Sequence, residues 1–141
     1  MKALTIHQPW ASLIVEGFKP REFRSWPAPP AFVGQRIVLH AAKRPIRTVE
    51  LRDILAYVTS ADGARDGIDP AAHDLLEKVW RREVELPTSA GLGTATLGTP
   101  RRVERLHDND EVVYAWPMID VEKWPTPVPA NGARKFWEWR A

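Results

Sequence analysis

The 141-residue chain has no cysteine, which removes disulfides, zinc–thiolate sites, iron–sulfur clusters and thiolate catalysis from consideration. No run approaches the roughly 20 apolar residues needed to cross a bilayer. The opening segment also lacks the basic start and apolar middle of a secretory signal. The expectation is a soluble, cytoplasmic protein with no membrane partner. Its four histidines, at positions 7, 40, 73 and 107, follow no metal-ligand spacing, so neither a metal nor a cofactor is expected. Internal repeats and low-complexity tracts are missing as well. With 44% hydrophobic and 27% charged residues, the composition excludes intrinsic disorder and collagen-like structure. A chain of this length buries roughly two-thirds of its unfolded surface, enough for one domain over residues 1–141.

Against that background, 7 Trp and 13 Pro are many, and Trp is a residue of cores, stacking platforms and interface anchors. The formal charge of +2 is unevenly spread: residues 1–60 hold nine Lys/Arg against four Asp/Glu, a net of +5, and residues 61–141 hold eleven against fourteen, a net of −3. Such polarity suits one face to an anionic partner.

Periodicity predicts a short strand at 2–6, with Leu4 and Ile6 on one face. Pro9 suits the first turn of a helix, whose stripe is Trp10, Leu13 and Ile14, and Gly17 sits where a left-handed cap would close it. An extended stretch follows over 18–26, then a buried strand at 36–42 started by a turn at Gly34. A second helix is expected from Pro45, with Leu51, Ile54, Leu55 and Val58 inward. Residues 60–68 read as a loop, and Asp69-Pro70 starts a third helix with the stripe Ala72, Leu75, Leu76 and Val79. These two helices form an insertion at about 45–85. Strands are expected at 91–99, at 112–119 with a bulge or edge at Pro117, and at 135–139. Residues 125–129 read as an extended connection. The sum is an α+β domain, a small barrel-like sheet with a few helices.

The densest charge lies in Gly17-Phe18-Lys19-Pro20-Arg21-Glu22-Phe23-Arg24. In an extended chain Glu22 and Arg24 point to one face, whereas strand parity does not fix Lys19. Such a group could bind phosphate, orient a base edge or perform acid–base work; equally, it could be a solvated strand whose Glu22–Arg24 pair serves solubility.

Gly17-x-Lys19-x-x-Glu22-x-Arg24 resembles the GxKxxExR signature of the ASCH (activating signal cointegrator homology) family. The run from Leu4 through His7-Gln8-Pro9-Trp10 to Ile14 is similar to the opening of the cointegrator-type members. Residues 36–43 and the Gly132-x-x-Lys135-Phe136-Trp137-Glu138-Trp139 block extend the likeness over nearly the whole chain. The resemblance implies a PUA-like β-barrel with helices beside it around a cleft that the signature residues line. It implies RNA or DNA as partner. It also offers an enzymatic alternative, since some small members are N4-acetylcytidine amidohydrolases using a Lys, a Thr and a Glu, and others are reported as ribonucleases. The amidohydrolase Lys falls on Lys19; the Thr position holds Glu22.

Under the binding reading, Lys19, Arg21 and Arg24 contact phosphate or a base edge, and Glu22 holds Arg24 or accepts from a base. Trp26 and the Lys43, Arg44, Arg47 patch extend the surface. Under the enzymatic reading, Lys19 and Glu22 are the reacting pair, and a modified nucleoside is the ligand. Trp10 is expected in the core, as are Trp137 and Trp139. Arg101, Arg102 and Arg105 form a second basic patch.

Overall fold

A computed structural model describes residues 1–103 and 112–140; Arg105 and His107 lie outside the described residues. The chain runs β1 (Lys2–Ile6), α1 (Trp10–Val15), β2 (Arg21–Arg24), β3 (Arg36–Ala41), α2 (Thr48–Tyr57), α3 (Ala61–Arg65), α4 (Ala72–Trp80), β4 (Ala90–Leu97), β5 (Arg101–Val103), β6 (Val113–Pro129) and β7 (Phe136–Glu138). The strands form one curled, mixed sheet in the order β2-β6-β4-β3-β1-β7, with β5 also on β6. It is a half-barrel with the helices packed alongside. β1 and β3 are parallel, with Thr5 opposite His40; the pairings of β1 with β7, β2 with β6, β3 with β4 and β4 with β6 are antiparallel.

Local chemistry accounts for the ends of α1. The buried Gln8 side chain accepts from the Ser12 N–H at 3.0 Å and donates to the Pro87 carbonyl at 2.8 Å, which ties the helix start to the strap before β4. At the other end, Phe18 N–H reaches the Leu13 carbonyl and Gly17 N–H the Ile14 carbonyl. With Gly17 at φ +85°, this is the double-bonded glycine cap that lets a chain reverse without strain. The reversal places Lys19 directly under α1.

Two apolar clusters result. One fills the half-barrel with Leu4, Ile6, Ile14, Ile37, Leu39, Leu97 and the fully buried Trp116. The other joins Leu13 of α1 to Leu51, Ile54 and Val58 of α2 and to Ala72 and Leu76 of α4, so the predicted helical stripes are the ones buried. Trp10 touches both clusters.

Several expectations are corrected. Pro45 precedes α2, whose first turn is capped by the Glu50 side chain on the Arg47 N–H at 3.1 Å. The stretch 60–68 holds the short helix α3, because the Ser60 side chain caps Gly63 N–H. Residues 125–129 belong to the long β6, which absorbs Pro117 in its interior and bulges against β4 near Asp120, at φ +49°. Trp137 and Trp139 are half-exposed. In β7 it is Phe136 that faces the half-barrel cluster, so parity turns Trp137 to the opposite face. There its ring meets His40 edge-on at 5.1 Å and Trp139 at 5.9 Å. No helix among the described residues is long and apolar enough to cross a membrane.

Candidate functional site

The signature residues meet at a cavity of about 550 Å³ bounded by three elements. The loop after β1 supplies His7 and the first residue of α1 supplies Trp10, the Gly17 reversal and β2 supply Lys19, Glu22, Phe23 and Arg24, and α2 supplies Asp53, Ile54 and Tyr57. Helix α2 therefore forms one wall of the cleft.

Its floor is a buried charge relay. Glu22 is 6% and Lys19 4% exposed. Lys19 Nζ donates to Glu22 Oε1 at 3.0 Å, and Arg24 Nη2 donates to Glu22 Oε2 at 3.2 Å and to the Thr5 carbonyl at 2.9 Å. Phe23 N–H adds a third bond to the carboxylate at 3.1 Å. Burial alone would raise the Glu22 carboxyl; the Lys19 and Arg24 charges and the hydrogen bonds from Lys19 and Phe23 outweigh it and hold the group below the ordinary carboxylate range. Glu22 is thus ionised at neutral pH, and its carboxylate is desolvated rather than part of a solvated surface pair.

Aromatic rings frame the floor. Lys19 Nζ stands 5.2 Å from the centroids of both Trp10 and Phe23, within cation–π range. Trp10 meets Tyr57 edge-on at 6.0 Å, and the Tyr57 hydroxyl donates to the buried Asp66. Trp10 is half-buried and lines the cavity, so it serves both core and cleft. Among the described residues, the formal charges lining the cavity, Lys19 and Arg24 against Glu22 and Asp53, cancel. A neutral, aromatic-walled pocket with a polar floor suits a planar heterocycle better than a bare phosphate.

The other expected residues lie elsewhere. Arg21 is on the opposite parity of β2 from Glu22 and lies over the Phe23 ring at 5.5 Å. Trp26 packs edge-on against Trp116 at 4.7 Å and its carbonyl accepts from Trp116 Nε1 at 3.1 Å; it does not line the cavity. The basic patch divides: Arg44 is bonded to Glu50 at 2.6 Å, Arg47 lies 4.0 Å from the same carboxylate, and Lys43 lines a different cavity. Arg101 and Arg102 are exposed on β5. On α4, His73, Asp74 and Glu77 place ligand-type atoms within 4.8 Å of one another, a grouping that histidine spacing alone does not suggest. Glu77 is already shared with Arg81 at 3.7 Å.

Sequence reasoning passed over His7, Asp53, Ile54 and Tyr57 as cleft residues. Asp53 and Tyr57 stand at i and i+4, so a second stripe beside the apolar one was available on α2. All nine lining residues fall inside residues 4–86, the part of the chain matched by the family model of the ASCH domain. A comparison with curated proteins gives no match.

Proposed function

The chain belongs to the ASCH domain family, whose domains are PUA-like, and from that premise we propose that it binds RNA, taking one base of a single strand into the cavity over Lys19, Glu22 and Arg24. RNA binding is what membership of this family suggests. The observation that carries the base-level reading is the cavity itself: Trp10 and Tyr57 flank it, and its charges balance. Bases stacked on such rings contribute about 1–3 kcal/mol each. Arg24 spends Nη2 on Thr5 and Glu22, and the rest of its fork is the donor edge offered to a base carbonyl. Glu22 fixes Arg24 and Lys19 rather than meeting the ligand first. Arg44 and Arg47, engaged by Glu50, have no part in this site; Arg21 and Trp26 lie beside it. The His7-Gln8-Pro9-Trp10 block supports a place among the cointegrator-type members, and the reading takes residues 1–141 as one domain with its helical insertion.

A second reading rests on one observation: a buried Lys–carboxylate pair at 3.0 Å opening on a cavity of nucleoside size is also an acid–base dyad. In that case Glu22, ionised, would act as base on a modified nucleoside such as N4-acetylcytidine. One panel separates the two. Fluorescence anisotropy with labelled RNA and DNA oligomers is run beside a turnover assay on acetylated cytidine and on the oligomers. Binding without turnover, weakened by about 1–3 kcal/mol in Arg24→Lys, supports the first reading. Turnover abolished in both Glu22→Gln and Lys19→Ala establishes the second.

A further inference from the structure

A second cavity, about 530 Å³, lies at the carboxyl ends of the same parallel strands, β1 and β3. Its floor is Thr5 and His40, and its rim is Lys43, Ser89 and the segment 131–134, which includes Arg134. The floor is neutral and satisfied. Thr5 Oγ1 accepts from Trp137 Nε1 at 3.0 Å and lies 3.1 Å from His40 Nδ1, while His40 Nε2 faces the Ala130 carbonyl at 2.7 Å. The Nε2–H tautomer fits both contacts, and burial holds the imidazole below its ordinary value although the Ala130 bond opposes this.

The rim differs in charge from the first cavity. Among the described residues, Lys43 and Arg134 line it, no carboxylate does, and neither cation is ion-paired. The N–H groups of residues 131–134 donate to no backbone carbonyl among the described residues. Gly132 allows this segment to lie so close: a Cβ there would stand 2.6 Å from His40 Cε1 and 2.7 Å from Thr5 Oγ1. Two cations without an ion pair and backbone donors without a carbonyl partner among the described residues, with the side chains of Ser89 and Asn131, form a set suited to a phosphate oxygen cluster.

Thr5 links the two cavities. Its carbonyl holds Arg24 in the first, and its side chain lies in the floor of the second. We propose that the second cavity is a phosphate site, occupied by a backbone phosphodiester of the strand whose base enters the first cavity. The identity of that strand rests on the function proposed above; the phosphate chemistry does not.

The test uses the whole chain and a Lys43→Gln/Arg134→Gln variant, whose side chains are exposed. In the first arm, inorganic phosphate is titrated into each protein by 1H–15N NMR, with chloride at matched ionic strength as control. Phosphate should shift the amides of 131–134 in the parent and leave them unmoved in the variant. In the second arm, single-stranded RNA affinity is followed against salt. Loss of one phosphate contact should flatten the slope of log affinity on log salt by about 0.7 and weaken binding about 5-fold at 0.1 M salt. Phosphate shifts without any RNA binding by the parent would sink the base reading and leave an anion site for a free phosphate compound. Phosphate shifts with an unchanged RNA slope would overturn the backbone assignment. No amide shift in the parent would overturn the site altogether.

Discussion

Glu22→Gln tests the buried charge relay on which the cleft is built. The substitution keeps volume and one acceptor but leaves the Lys19 ammonium, 4% exposed, facing a neutral amide. Breaking one partner of a buried ion pair costs about 3–5 kcal/mol, because an uncompensated charge remains out of water. Arg24, at 24% side-chain exposure, can turn toward solvent, and the amide oxygen still accepts a bond from Lys19. The expected loss is therefore at the lower end, about 3 kcal/mol, or roughly 6–12 °C in Tm for a chain of this size. Lys19→Met/Glu22→Leu removes both charges at similar volume and should recover most of that stability, as buried pairs replaced by apolar side chains do. It should also lose ligand binding, since the polar floor is gone. Urea unfolding of the parent, Lys19→Met, Glu22→Leu and the double variant at pH 7 closes the cycle, with Glu22→Gln measured beside them. A loss under about 1 kcal/mol in Glu22→Gln, the value of an exposed pair, would show that the carboxylate is not desolvated and refute the reasoning.

The depressed Glu22 carboxyl contributes stability that is complete above its unfolded-state value, near 4.3, and is lost as pH falls through the lower folded-state value. The stability gap between the parent and Glu22→Gln should thus narrow steadily below about pH 4; a gap that stays constant from pH 5 to 2 contradicts the assignment. Gly93→Ala would set a Cβ 2.2 Å from the Glu122 carbonyl oxygen, a backbone atom that cannot swing away, and should cost about 3 kcal/mol or more in urea unfolding. Gly17→Ala, with open space but φ +85°, should cost only about 1–2 kcal/mol; the reverse order would contradict the packing described for β4. Tyr57→Phe removes the hydroxyl that donates to the buried Asp66, whose carboxylate keeps Arg65 at 3.9 Å, and should cost about 1 kcal/mol by the same measurement.

What the sequence made legible followed from short-range rules. Alternation put Glu22 and Arg24 on one face of β2, the Gly17 cap closed α1, and the apolar stripes of α2 and α4 were the ones that pack. What stayed hidden depended on partners remote in sequence. Lys19 is placed by a reversal whose direction parity does not encode. Trp26 and Trp116 are set by a contact across 90 residues. Lys43 and Arg44 are adjacent in the chain, yet one lines a cavity and the other is held by Glu50. Trp137 and Trp139 read as core because they are large and share a parity; the neighbouring Phe136 takes the inward register and turns them out.

The central claim is that the first cavity holds a base, and it is tested most directly by separating bases from phosphates. A random-sequence RNA heptamer and an abasic heptamer with the same ribose–phosphate backbone are compared for affinity at one salt concentration. Base capture predicts that the abasic chain binds about 5- to 150-fold more weakly, corresponding to 1–3 kcal/mol, and that Trp10→Ala removes most of this difference. Equal affinity for the two chains would mean that the phosphates alone hold the ligand and that the cavity over Lys19, Glu22 and Arg24 takes no base.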